Sequence, residues 1–248
     1  MKSIVILASL LTLAVAARAS VTETFKQTYP LAADGAVHLE NINGDIDITA
    51  WDKAEVSLEA EKRAKDDDEL KRLEIIIDAR PDRLSIKTKY VKKTVWFFGN
   101  WNPGSIRYRL MVPAGAKLDK IDTVNSDISV TGVHGTVNLD TVNGSIKATG
   151  LAADARLDSV NGSLSAEFAS MEKVKSVKLD SVNGRATVTL PKGAGARIDA
   201  DSVNGSVSID QQVKLGKVRR HSLSGEIGSG GPDISLETVN GSIAVREK

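Results

Sequence analysis

The sequence predicts an all-β fold: a β-solenoid, a single-chain right-handed β-helix of about eight turns, with a lateral β-rich insertion. Three observations predict it. An Asn-Gly step or near-equivalent recurs at Asn43, Asn125, Asn143, Asn161, Asn183, Asn204, Ser224 and Asn240. From Asn125 onward the copies are 18, 18, 22, 21, 20 and 16 residues apart, the length of one solenoid turn with small loop variations. Between the copies the chain is rich in Val, Ile, Ser and Thr, which reads as short strands rather than helices. An Asn-Gly step also fits a type I′ hairpin, so a meandering antiparallel sheet is the competitor. Identical columns in every copy favour stacking, because rungs about 4.8 Å apart place like residue on like residue.

Taken from the start, Lys2, the apolar run Ile4–Ala16 and the small-residue pattern Ala17-Arg18-Ala19 form a cleavable export signal over residues 1–19. The run is shorter than the roughly 20 residues a membrane helix needs, so no transmembrane span is expected. Residues 20–50 are assigned to the first turn and an N-terminal cap, 51–115 to the lateral insertion and 116–248 to the repeat solenoid. In the insertion, Val56–Ala60, Ile75–Ile77, Leu84–Ile86 and Ile106–Val112 read as strands of a small separate sheet, with a turn at Arg80-Pro81-Asp82. The acidic run from Asp66 to Glu69 suits a helix N-terminus better than a cation site. Trp96, Phe97, Phe98 and Trp101 sit on the insertion's aromatic loop, as a cap on the core or as a partner-binding patch beside Lys92 and Lys93.

Each repeat carries the same columns. Val137, Leu139, Val142, Ile146 and Ala148 are expected to face the core, as are Ala155, Leu157, Val160, Leu164 and Ala166, and Val37, Leu39, Ile42, Ile46 and Ile48. The odd step from Leu139 to Val142 would bend the strand ahead of the corner. The corners are the pairs Asn43-Gly44, Asn143-Gly144, Asn161-Gly162, Asn183-Gly184, Asn204-Gly205 and Asn240-Gly241, where glycine permits positive φ.

Three places before each turn residue stand Glu40, Asp122, Asp140, Asp158, Asp180, Asp201 and Glu237, with His221 in the remaining copy. Beside them runs a hydroxyl column: Thr123, Thr141, Ser159, Ser181, Ser202, Ser222 and Thr238. Chemistry repeated in every rung suits stacking and capping, whereas catalysis needs a unique constellation. The one break, Arg219-Arg220-His221, could serve a glycan-active enzyme. His38 and His134 have no partners at metal-ligand spacing, so no catalytic residue, metal or cofactor is assigned.

Leu39-Glu40-Asn41-Ile42-Asn43-Gly44-Asp45-Ile46, then Trp51, then Val112-Pro113-Ala114-Gly115-Ala116, then the Val-Asn-Gly ladder resemble a family of exported bacterial β-solenoid proteins that carries the label putative adhesin. The resemblance spans nearly the whole chain after the signal; Ser126 and Ser224 depart from the pattern. It implies an exported envelope protein, periplasmic or secreted, that acts as an adhesin or interaction scaffold rather than an enzyme. Its partner would be an envelope protein or glycan. A self-assembling or stress-sensing module, associating through the solenoid ends with Asn240 to Val245 as the last rung, is the alternative, and a polysaccharide-active β-helix the second. Without Lys2 and Arg18 the chain has 31 basic and 32 acidic residues, a net charge of about −1, which gives no pull toward nucleic acid.

Overall fold

A computed structural model describes residues 20–91, 104–210, 213–219 and 221–248, with 213–219 as backbone only. The expected aromatic patch at Trp96, Phe97, Phe98 and Trp101 lies outside the described residues. The first strands are Val21–Pro30 (β1), Ala36–Glu40 (β2), Ile46–Trp51 (β3) and Glu55–Ala64 (β4). A one-turn helix, Asp67–Leu70 (α1), follows, N-capped by Asp66, whose Oδ1 accepts from Glu69 N at 2.9 Å. Next come Leu73–Arg80 (β5), Arg83–Tyr90 (β6) and Ser105–Pro113 (β7). The repeats follow as strand pairs Lys117–Thr123 (β8) and Ile128–Thr131 (β9), Val137–Asn143 (β10) and Ile146–Leu151 (β11), Ala155–Asn161 (β12) and Leu164–Phe168 (β13), and Ser176–Asn183 (β14) and Ala186–Leu190 (β15). The chain continues through Ala196–Asn204 (β16), Val207–Ile209 (β17), Val213–Arg219 (β18), Ser222–Ile227 (β19), Asp233–Asn240 (β20) and Ile243–Glu247 (β21).

The fold is all-β and solenoid-like, with two large, mostly parallel sheets and no barrel. Strand order is β1-β4-β7-β3-β9-β11-β13-β15-β21-β17 in one sheet and β18-β19-β16-β20-β14-β12-β10-β8-β2-β6-β5 in the other. Each repeat gives its first strand to the second sheet and its second strand to the first. Registers match column for column: Leu139 lies on Leu157, Asp140 on Asp158 and Asn143 on Asn161. Inward side chains such as Leu139, Leu157, Leu179, Ile146 and Val188 form one continuous core between the sheets.

Four expectations need correction. The insertion has no separate sheet: β6 pairs in parallel with β2, and β7 with β3, so both prolong the stack, while β4 and β5 pair antiparallel beyond them. The valines before the corners do not face the core. Val142 is 38% exposed and Val160 41%, whereas Thr141 is 0% exposed. Strict period-two alternation therefore runs through residues 137, 139 and 141, and the column that closes the inner face is hydroxyl, not apolar. Third, Ser224 is no corner of the stack, since β19 runs antiparallel to β16 and to β18. Fourth, the pair β20–β21 does not end the stack but lies between β14–β15 and β16–β17.

The corner glycines also answer a different requirement from the one expected. Only Gly44 among them has positive φ, at +109°. At Gly144, Gly162, Gly184, Gly241 and Gly205 an added Cβ would sit on the backbone carbonyl of the neighbouring corner, far inside van der Waals contact. Backbone is too rigid to move aside for it. We predict that Gly162→Ala lowers unfolding free energy by about 3 kcal/mol, the upper end for overpacking. Gly193→Ala, where φ is +74° but nothing lies within 4 Å of the added atom, should cost only about 1 kcal/mol. Urea denaturation of both variants checks the contrast; equal losses would mean that backbone conformation, not crowding, selects glycine at the corners.

Candidate functional site

The crowding carbonyl at each corner is also the acceptor for the buried hydroxyl of the next rung. Thr141 Oγ1 donates to Ser126 O at 3.1 Å, Ser159 Oγ to Gly144 O at 3.0 Å and Ser181 Oγ to Gly162 O at 3.2 Å. Thr238 Oγ1 donates to Gly184 O at 3.3 Å and Ser202 Oγ to Gly241 O at 3.0 Å. Without a hydroxyl there, a buried carbonyl would lose its partner at a cost of about 1–3 kcal/mol. Outside this corner the asparagine side chains form their own ladder. Asn125, Asn143, Asn161, Asn183, Asn240 and Asn204 each donate Nδ2 to the Oδ1 of the neighbour below, ending on Asn43, at 2.8–3.0 Å.

The departures from the motif follow from the first corner. Gly44 O accepts from Asn41 Nδ2 at 2.7 Å, and Gly44 N donates to Ser126 Oγ at 2.6 Å. Ser126 thus stands where later corners need glycine, because its hydroxyl has a use there. Thr123 Oγ1, one rung above Asn41, is left buried with no partner. At the far end His221 takes the place of the hydroxyl: its Nδ1 lies 3.0 Å from Gly205 O and, facing a carbonyl, donates to it. Sequence reasoning isolated His221 as a possible catalytic group; this contact commits one ring nitrogen to capping the last corner.

With these columns turned inward or locked at the corner, the acid column and the valine column share the outer face of the second sheet. Together they line an open groove of about 850 Å³ running across the rungs. Its walls carry seven carboxylates and two cations, with Val160, Val182, Val203 and Val239 alongside. Stacking is direct: Glu40 on Asp122, Asp122 on Asp140, Asp140 on Asp158, Asp158 on Asp180, Asp180 on Glu237 and Glu237 on Asp201. Among the described residues no group of three or more His, Cys, Asp or Glu side chains could hold a metal ion.

Compensation is uneven along the column. Glu40 contacts Lys87 at 2.7 Å and Lys120 at 2.9 Å, and these two cations, Lys87 first, pull its carboxyl down to about 2. Asp158 meets Arg156 at 2.8 Å, yet its pKa is lifted to about 6. Burial is the main cause, and it outweighs Arg156, which also reaches Asp180 at 3.6 Å and is 48% exposed, so its pull is divided and screened. Asp140 is raised too, by burial and then by Asp122.

A carboxyl whose folded pKa is raised binds its proton more tightly in the folded chain than in the unfolded one. Its contribution to stability is therefore complete below the ordinary value of 3.8 and is lost as pH rises through about 6. Glu40 has the opposite sign: its contribution is present above 4.5 and lost as pH falls toward 2. We predict that unfolding free energy rises as pH is lowered from 7 to 5 and falls below 4.5. Asp158→Asn should stabilise the protein at pH 7 by on the order of 1–2 kcal/mol and flatten the slope between pH 5 and 7. Thermal melts across pH test this; a stability that only increases up to pH 7, or an Asp158→Asn variant with an unchanged slope, would contradict it.

Comparison with known proteins places this geometry. The chain resembles a solved structure from Clostridium sporogenes named a putative cell adhesion protein, with 15% identity and a TM-score of 0.55 over 92% of this chain and 100% of that one. It also aligns with a putative adhesin from Bacteroides fragilis at 14% identity and TM-score 0.40, covering 91% of this chain and 97% of that one. A putative lipid binding protein from Parabacteroides distasonis aligns at 12% identity and TM-score 0.31, over 92% of this chain and 96% of that one. The first shows a shared fold; the other two are too distant to carry argument. No curated protein matches the sequence. The family model for Toastrack DUF4097 matches residues 35–246, from the first repeat strand almost to the last, and the chain belongs to that family.

Proposed function

We propose that the protein is a non-enzymatic interaction scaffold of the bacterial envelope, adhesin-like, whose binding face is the acid and valine groove of the second sheet. The observation that carries this reading is the exposed valine column, 36–63% accessible at Val124, Val142, Val160, Val182, Val203 and Val239, set in register beside stacked carboxylates. Apolar side chains held open to water in a continuous line mark contact surfaces. A face that repeats the same groups at every rung suits an extended partner and offers no unique set of groups for bond-breaking. The putative cell adhesion protein that shares the fold supports an adhesive role. Export is part of the proposal and rests on the Lys2, Ile4–Ala16 and Ala17-Arg18-Ala19 pattern. No helix among the described residues is long and apolar enough to cross a membrane. Trp96, Phe97, Phe98 and Trp101 form a second contact patch in this reading, through aromatic stacking on a glycan or protein surface.

The test is binding of purified protein to isolated envelope fractions and to purified envelope polysaccharide. Val142→Thr with Val160→Thr and Val182→Thr keeps β-branched shape while making the stripe polar, and should weaken binding about tenfold, equivalent to 1.4 kcal/mol. The melting temperature should stay unchanged. Trp96→Ala with Trp101→Ala should weaken it through the second patch. Undiminished binding by both variants would overturn the assignment, and cleavage of any polysaccharide in the panel would favour a glycan-active β-helix instead.

A further inference from the structure

The position of β20–β21 has a consequence for association between copies. Among the described rungs after β8–β9, every other neighbour in the stack is also a neighbour in sequence; this pair alone is wedged between two that precede it. The rungs on either side present each other with the same columns. Thr238 Oγ1 donates to Gly184 O, and Ser202 Oγ donates to the equivalent Gly241 O. Asn240 Nδ2 donates to Asn183 Oδ1, and Asn204 Nδ2 to Asn240 Oδ1. Gly205 and Gly241 both lack the Cβ that would collide with the corner beneath. The slot is thus chemically indifferent to which chain supplies the rung.

The approach to the slot is a glycine-rich turn. Between β19 and β20 run Gly228, Ser229, Gly230, Gly231 and Pro232, and the three glycines have φ of +60°, +76° and +154°. Such backbone swings with little steric resistance. Reciprocal exchange of an identical element about a short hinge conserves every contact, so a closed dimer loses none of the core that a monomer has. We infer that β20–β21 is an exchangeable rung, able to pivot at Gly228–Pro232 and fill the slot between β14–β15 and β16–β17 of a second copy.

Ile234, Leu236, Ile243 and Val245 are at most 1% exposed in the slot. The rung therefore does not leave a folded monomer readily. Exchange belongs to chains that fold together, when β16–β17 and their slot form before β20–β21 have docked.

The chain has no cysteine, which makes disulfide trapping clean. Lys178 and Ser235 are register partners across β14 and β20, as are Thr187 and Ala244 across β15 and β21. Full-length Lys178→Cys and Ser235→Cys proteins are unfolded together, refolded at high concentration and oxidised. The expected result is a hetero-dimer at twice the monomer mass on non-reducing gels, collapsed by reductant and absent when each is refolded separately and then mixed. A protein carrying both substitutions, refolded dilute, should give only the intramolecular bond. Thr187→Cys with Ala244→Cys repeats the measurement from the other sheet and covers the case in which one variant fails to fold. Exclusive formation of monomers after co-refolding would overturn the inference. So would a dimer by light scattering that neither cysteine pair can trap, since it would use another surface.

Discussion

The structure rests on one carbonyl per rung. At the corners from Ser126 to Gly241 the peptide oxygen points along the stack into the space where the next rung would otherwise place a Cβ. That single direction imposes glycine above it and a buried hydroxyl beside it, because the oxygen can neither be displaced nor left without a donor. The asparagine ladder then fixes the outer edge of the same corner with one amide bond per step. Once the corners stack, the strands that leave them are held at sheet spacing and the columns follow.

This arrangement also decides what faces solvent. A hydroxyl column that must point inward to meet the corner carbonyl forces the next residue, valine, outward, and forces the acidic residue before it outward as well. The outer face is therefore a by-product of the corner chemistry as much as a designed surface. It nonetheless concentrates charge. Where cations from neighbouring positions reach the carboxylates, as at Glu40, the column is quiet; where burial dominates, as at Asp158, it retains protons into the mildly acidic range. Repetition gives this face the same groups at every rung along its length.

Much of this was legible in the residues. The Asn-Gly spacing located most of the corners, and the apolar positions six and four before the asparagine, and three and five after it, are buried, as at Val137, Leu139, Ile146 and Ala148, except after Asn204, where Val207 and Ile209 are half-buried. The valine column was misread because hydrophobicity alone pointed it inward, while the competing need of a backbone oxygen for a donor is invisible until the neighbouring rung is in place. The role of glycine was misread for a related reason: a positive φ is a local property that a dipeptide can suggest, whereas a collision with another rung is not. The segment 51–115 reads as a lateral insertion because it lacks the corner motif, yet β6 and β7 still carry the alternation that lets them pair with β2 and β3.

By itself the sequence determined the repeating unit, the positions of the Asn-Gly corners and the apolar columns that flank them, since each of these is set by residues within a few positions of one another. Only the tertiary structure decided the order of the rungs at the far end, where β20–β21 lies between pairs that precede it and β18–β19 fold back as a hairpin. The physical reason is degeneracy: when all rungs carry the same columns, local complementarity fits any neighbour equally. The choice passes to loop closure and to the burial that the whole stack achieves.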